Sequence, residues 1–179
     1  MAGFGRKISK SRIRGSYTLI LLTAGTYPLP FDRLIRAVDE LVCRGLIEEE
    51  IFAQIGCSNY QPKHVKHARI MDKDAFDRCL KTASALIGHA GMGTITMALE
   101  HNKPLLVVPR MKKYREHVND HQVATAREFE RMGHVLAAYD IDELPQKIRQ
   151  LKTFVPALRK AQPDAVAERI KRFLGGILE

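Results

Sequence analysis

Residues 84–122 constrain the chain more than any other stretch, because they set out a complete crossover unit. A short apolar run (Ala85, Leu86, Ile87) ends in Gly88-His89-Ala90-Gly91-Met92-Gly93-Thr94. A helical pattern follows, with Ile95, Ala98 and Leu99 on one face, and Pro104 marks its end. A second buried run, Leu105 to Val108, is closed by Pro109 and a polar loop rich in Arg, Lys, Glu and His. Strand, glycine turn, helix and strand in that order make a βαβ unit, with its polar residues gathered at the strand ends.

The turn itself admits two readings. Gly91 and Gly93 lack Cβ atoms where a strand hands over to a helix, so the backbone can turn tightly and approach a ligand closely. The first-turn N–H groups of that helix have no intrahelical partners, and the dipole there favours an anion. His89 and Thr94 flank the same spot and can each donate a hydrogen bond to a phosphate oxygen. The turn taken alone also fits an ordinary softened turn in any α/β protein. It is not a Walker loop, since no Lys-Ser/Thr follows at the required spacing, and it lacks the usual dinucleotide fingerprint.

Taken together, HAGMGTI at 89–95, the KPLLVVPR segment at 103–110 and the final DHQ at 120–122 resemble the donor-binding half of glycosyltransferase family 28. The resemblance is strongest to its small stand-alone versions, the catalytic subunits of split UDP-GlcNAc transferases and their bacterial exopolysaccharide counterparts. It runs from about residue 17 to about residue 138. It implies a Rossmann-like three-layer α/β domain with a mainly parallel six-stranded sheet, equivalent to the C-terminal half of a GT-B glycosyltransferase. The donor-binding domain is expected over residues 16–179, preceded by a tail, residues 1–15, marked by its basic charge.

The composition is that of an ordinary globular domain, with 45% hydrophobic and 27% charged residues over 179 positions. No apolar run approaches the roughly 20 residues that cross a bilayer, and no signal-peptide pattern stands at the start. Cys43, Cys57 and Cys79 are scattered without CxxC spacing and read as reduced thiols of a cytoplasmic protein. The net charge of +9 draws nucleic acid, anionic lipid or phosphorylated ligands without choosing among them. No RNP, zinc-finger or KH motif supports nucleic acid, so none is expected as a partner. Arg6, Lys7, Lys10, Arg12 and Arg14 form a local basic excess, either a disordered tail or an arm resting on anionic lipid.

Along the chain, a first strand is expected at 17–22 and a loop at 23–26. A helix at 31–43 follows, burying Phe31, Leu34, Ile35, Val38 and Leu41. Asp32 and Asp39 lie opposite that stripe and read as solvated. A second strand is expected at 51–55, a third at 68–71 and a helix at 73–83 with Phe76 and Leu80 inward. His64 and His67 lack the further ligands of a metal site, and no metal is expected. Asp120 is placed to cap a helix starting near His121. A short sixth strand is expected at 135–138 and a further helix opens at 140–143. A last helix from Asp164 carries Val166, Ile170, Phe173, Leu174 and Ile177 on one side, either packed on its own domain or offered to a partner.

The family resemblance assigns roles residue by residue. Gly25 and Thr26 correspond to the first loop around the donor diphosphate, and the turn from His89 through Ala90, Gly91 and Gly93 to Thr94 to the second. His89 there stabilises the leaving group. His121 and Gln122 correspond to the pair that faces the donor hexose, and Glu116 matches the bacterial subgroup's pattern. A glutamate that holds the ribose hydroxyls in many members is replaced here by Met97, with Glu100 and Glu116 as possible substitutes. The implied activity is inverting transfer of a hexose from a UDP-sugar to a lipid-diphosphate-linked glycan, without a cofactor. The implied partner is a membrane-anchored acceptor-binding subunit that also supplies the general base, with peripheral membrane contact. A non-catalytic nucleotide-sugar-binding or scaffolding module is the alternative.

Overall fold

A computed structural model of the chain describes residues 19–157. The expected basic tail at 1–15, the start of the first strand and the helix expected from Asp164 lie outside the described residues. Six strands, β1 (Leu19–Thr23), β2 (Glu50–Gln54), β3 (Lys66–Ala68), β4 (Ala85–Gly88), β5 (Leu105–Val107) and β6 (Leu136–Ala137), form one sheet in the order β3-β2-β1-β4-β5-β6. Every pairing is parallel. Five helices, α1 (Asp32–Cys43), α2 (Lys73–Thr82), α3 (Met92–Glu100), α4 (His121–Arg131) and α5 (Leu144–Leu151), connect or follow the strands.

The layers follow from the period-2 alternation of buried strands. Ile20 and Leu22 of β1, with Ile51, Ile87 and Leu106, face one side and pack with Phe31, Leu34, Val38, Leu144 and Ile148 of the α1 and α5 layer. Leu21, Leu86, Leu105 and Val107 face the other side and pack with Leu80, Ile95, Ala98 and Ala126 of the α2, α3 and α4 layer. Each fully buried leucine or isoleucine contributes about 1.5–3 kcal/mol, so both helical layers are held chiefly by apolar burial.

Three helices end in the same way. Past α1, Gly45 N–H bonds the Val42 carbonyl at 3.0 Å and Leu46 N–H the Leu41 carbonyl at 2.9 Å, with Gly45 at φ +68°. The same pair of bonds follows α3 through Asn102 and α4 through Gly133. Each motif satisfies carbonyls the helix leaves open and turns the chain back toward the next strand.

Two expectations are corrected here. β3 starts at Lys66, ahead of the apolar residues that located it at 68–71. As an edge strand it is half-exposed, so it forms from polar residues that an apolar search passes over. Asp39 is not solvated: it is 1% exposed and accepts hydrogen bonds from Tyr60 Oη and from the N–H groups of Lys63, His64 and Val65 at 2.7–3.0 Å. Burial pushes its pKa up, yet these donors more than offset that and hold it below the usual aspartate value. Asp32 likewise accepts from the N–H groups of Asn59 and Tyr60. Together the two carboxylates fasten the connection between β2 and β3 to α1.

Candidate functional site

β1 and β4 are neighbours at the centre of the sheet, and the helices that follow them leave on opposite faces. The crevice outside their carboxyl ends is the switch point of the topology, where open α/β sheets receive ligands. A cavity of about 810 Å³ lies there, lined among others by Thr23, Gly25, Thr26, His89, Gly93 and Thr94.

The loop after β1 is fixed by a buried polar cluster. Thr23 Oγ1 donates to Gln54 Oε1 at 2.7 Å and accepts from Gly25 N–H at 3.1 Å. Gln54 Nε2 donates to the carbonyls of Gly25 and Arg69. Gly25 sits at φ +75°, where L side chains are strained.

Gly25 and Gly91, one on each side of the cavity mouth, both leave room for the His89 ring. A Cβ built on Gly25 would lie 2.5 Å from His89 Cε1. One built on Gly91 would lie 2.7 Å from Cδ2 and closer still to Nε2. The imidazole is therefore clasped between the two loops. By contrast, a Cβ on Gly93 would meet nothing within 4 Å. The close backbone approach inferred for Gly91 and Gly93 thus divides in two: Gly91 admits the histidine, and Gly93 leaves the cavity floor open. Gly88 has its own reason, since a Cβ there would press on the Thr23 carbonyl at 3.1 Å and the Thr94 methyl at 3.2 Å.

His89 is half-buried and its Nδ1 is buried without a hydrogen-bond partner among the described residues. Burial, then the Arg110 charge, push its pKa down to about 4, with His117 adding to the effect and the Thr23 backbone opposing it. At neutral pH the ring is uncharged, so one nitrogen donates and the other accepts. Beside it, α3 starts at Gly91 with no side chain capping its first turn, and Ile95 N–H is bonded to the Gly91 carbonyl. The preceding amides and the positive end of the helix dipole open onto the cavity.

Arg110, the last residue of the KPLLVVPR segment and given no role in the sequence reading, anchors this end of the molecule. It is 1% exposed. Its guanidinium donates to the carbonyls of Ala24, Leu29, Pro30 and Glu116 at 2.8–3.2 Å and lies over the Phe31 ring. The loops after β1 and β5 are thereby tied together. Burial lowers the Arg110 pKa, and Glu116 opposes that.

Of the ten expected site residues, Gly25, Thr26, His89, Gly91, Gly93 and Thr94 line the cavity, while Ala90, Glu116, His121 and Gln122 do not. Ala90 is buried in the α2–α4 side of the core. Glu116 is 3% exposed, pairs with Arg33 through both oxygens at 2.8 and 2.9 Å, and accepts from Met111 N–H. Both of its carboxylate oxygens are thus engaged within the protein. Gln122 is 4% exposed and its Oε1 accepts from Arg110 N–H. His121 is exposed and meets His117 edge-on, which stacks in turn on Tyr27 at 4.4 Å at the cavity's rim. Asp120 does not cap α4; its carboxylate accepts from Lys112 N–H at 2.7 Å. Met97 lines the cavity, whereas Glu100 does not, and neither suggested substitute for a ribose-holding glutamate faces it. Among the described residues, no group of three or more His, Cys, Asp or Glu side chains converges as a metal site.

A parallel sheet of this strand order, with helices on both faces and a helix start at its switch point, defines a Rossmann-like three-layer α/β domain. Within that class the sequence matches the glycosyltransferase family 28 C-terminal domain over residues 19–173, and the chain belongs to that family. It is 30% identical over 123 residues to the UDP-N-acetylglucosamine transferase subunit ALG13 of Mus musculus, covering 64% of this chain and 10% of that one. Among solved structures, the glycotransferase of kitacinnamycin superposes with a TM-score of 0.58 at 23% identity, over 94% of this chain and 41% of the other. MurG of Acinetobacter baumannii superposes at 0.54 with 20% identity, over 79% and 44%. At those identities the likeness is one of fold. The chain spans less than half the length of each of these relatives.

Proposed function

We propose that this chain is the donor-binding subunit of a split inverting glycosyltransferase. In this reading it binds a UDP-sugar and serves transfer of the hexose to a lipid-diphosphate-linked glycan at a membrane surface. A membrane-anchored partner supplies the acceptor site and the general base. The observation that carries the reading is the cavity at the ends of β1 and β4, where His89, the Gly25–Thr26 loop and the open start of α3 converge. Family membership and the likeness to a mouse UDP-N-acetylglucosamine transferase subunit support it.

The chemistry follows from those groups. The diphosphate rests on the α3 amides and the Gly25–Thr26 backbone. The acceptor hydroxyl attacks the anomeric carbon from the face opposite the leaving oxygen, its proton passing to the partner's base as the sugar–phosphate bond breaks. Charge then builds on the departing UDP, where neutral His89 donates a hydrogen bond. Removing one such preorganised donor typically costs about 3 kcal/mol.

Thermal melting of the purified chain with UDP and UDP-sugars, UDP-N-acetylglucosamine first, tests the binding half of the proposal. A rise in Tm that His89→Ala abolishes is expected. Melting that stays unchanged under saturating nucleotide sugars would refute it. The partner half is tested by transfer to a lipid-diphosphate acceptor, which requires co-expression of the anchored subunit; robust transfer by this chain alone contradicts it.

A further inference from the structure

Two of the side chains that line the cavity carry a formal charge at neutral pH, Lys73 and Asp77. They stand four residues apart on α2 and so share one helix face. Asp77 is half-buried, and neither residue enters an ion pair among the described residues. The nearby acid Asp72 is engaged in capping α2 through Ala75 N–H, but the Asp77 carboxylate has no such duty. Across the cavity, α3 presents Met92 and Met97, and Ile70, Met71 and Phe76 complete an apolar lining.

We infer that Asp77 accepts hydrogen bonds from the two ribose hydroxyls of the nucleotide, making this cavity selective for ribonucleotides over 2′-deoxyribonucleotides. This rests on the donor-site reading above. With the diphosphate at the first turn of α3, the nucleoside extends into the remaining volume between α2 and α3. Its base suits the methionine, isoleucine and phenylalanine surfaces. Its two adjacent hydroxyls need acceptors, and a carboxylate offers two oxygens with the spacing to take both. Among the described residues Asp77 is the only carboxylate in the lining, while the Gln54 side-chain oxygen already accepts from Thr23. Lys73 on the same face offsets the negative charge, so the carboxylate does not drive off the diphosphate.

Half-exposure sets the size of the effect. Where a buried site rejects a ligand lacking a hydroxyl by many orders of magnitude, water covers Asp77 when the 2′-hydroxyl is missing. The expected preference for UDP over 2′-deoxy-UDP is therefore about tenfold, the lower end for hydrogen bonds to a charged group.

Calorimetric titration of the full chain with UDP and 2′-deoxy-UDP tests this, in the wild type, Asp77→Ala and Asp77→Asn. Asp77→Ala is expected to bring the two affinities within about twofold by weakening UDP, and Asp77→Asn to fall between. Unchanged apo melting separates this from a folding defect; should Asp77→Ala melt early, Asp77→Asn carries the comparison. A wild type that binds both nucleotides equally, or a preference that survives in Asp77→Ala, overturns the assignment of Asp77 and leaves the donor site standing. A wild type that binds neither nucleotide overturns both.

Discussion

Replacing Gly91 with alanine puts a methyl group where the His89 imidazole lies, 2.7 Å from Cδ2 and nearer still to Nε2. The backbone at Gly91, φ −84° and ψ 140°, is extended and suits alanine, so the substitution brings no conformational strain. Losing glycine at the helix start costs about 0.5–1 kcal/mol. The stiffer unfolded chain returns about 0.4–1 kcal/mol. Those two nearly cancel, and what remains is the clash itself, about 1–3 kcal/mol for an overpacked site. In a His89→Ala background the clash has no partner, so Gly91→Ala should there change stability by less than about 0.5 kcal/mol. Urea unfolding of the four proteins in the cycle measures this directly. Gly93→Ala is the control: with nothing within 4 Å of its new methyl group it should stabilise the ligand-free chain by about 0.4–1 kcal/mol. If Gly91→Ala costs the same with and without His89, the clasp is not what demands glycine there.

His89 should also govern stability in mild acid. Its folded pKa of about 4 lies below the ordinary 6.5, so the unfolded chain binds the extra proton first. Its contribution is complete above about pH 6.5, declines as pH falls and is gone near pH 4, a loss of roughly 3 kcal/mol. Urea midpoints from pH 7 to pH 4 should therefore drop less steeply in His89→Ala; parallel curves contradict the assignment. Asp39→Ala strands three backbone N–H groups and the Tyr60 hydroxyl in the protein, and should cost about 3 kcal/mol by the same assay, with Asp39→Asn intermediate. A loss under about 1 kcal/mol would mean that water reaches those groups.

The central crossover was readable because its signals are local. Apolar runs, a glycine turn and Pro104 each act within a few residues, and β4, α3 and β5 fall where the pattern places them. Phe31, Leu34, Ile35, Val38 and Leu41 are all buried as their spacing requires. The misreadings have the opposite character. Asp39 looks solvated on a helical projection, and only the return of residues 60–65 past α1 covers it. Glu116 reads locally as one more charge of a polar loop, and only the fold brings Arg33, 83 positions earlier, against it. Arg110 carries the same lesson: a cation after a buried strand has no local mark telling it from a solvent-facing one. Its partners are carbonyls of a loop some 80 residues away. The histidine clasp was hidden for a related reason, because it joins a glycine of one loop to a ring of another.

That clasp makes positions 25, 89 and 91 a single decision. Trading the imidazole for a smaller group would leave two facing hollows, and enlarging either glycine would expel the ring. With Arg110 binding the first of those loops from behind and tying it to the loop after β5, the mouth of the sheet is assembled when the chain folds. A ligand arriving there meets walls already in position, and the entropy of ordering them does not weaken its binding.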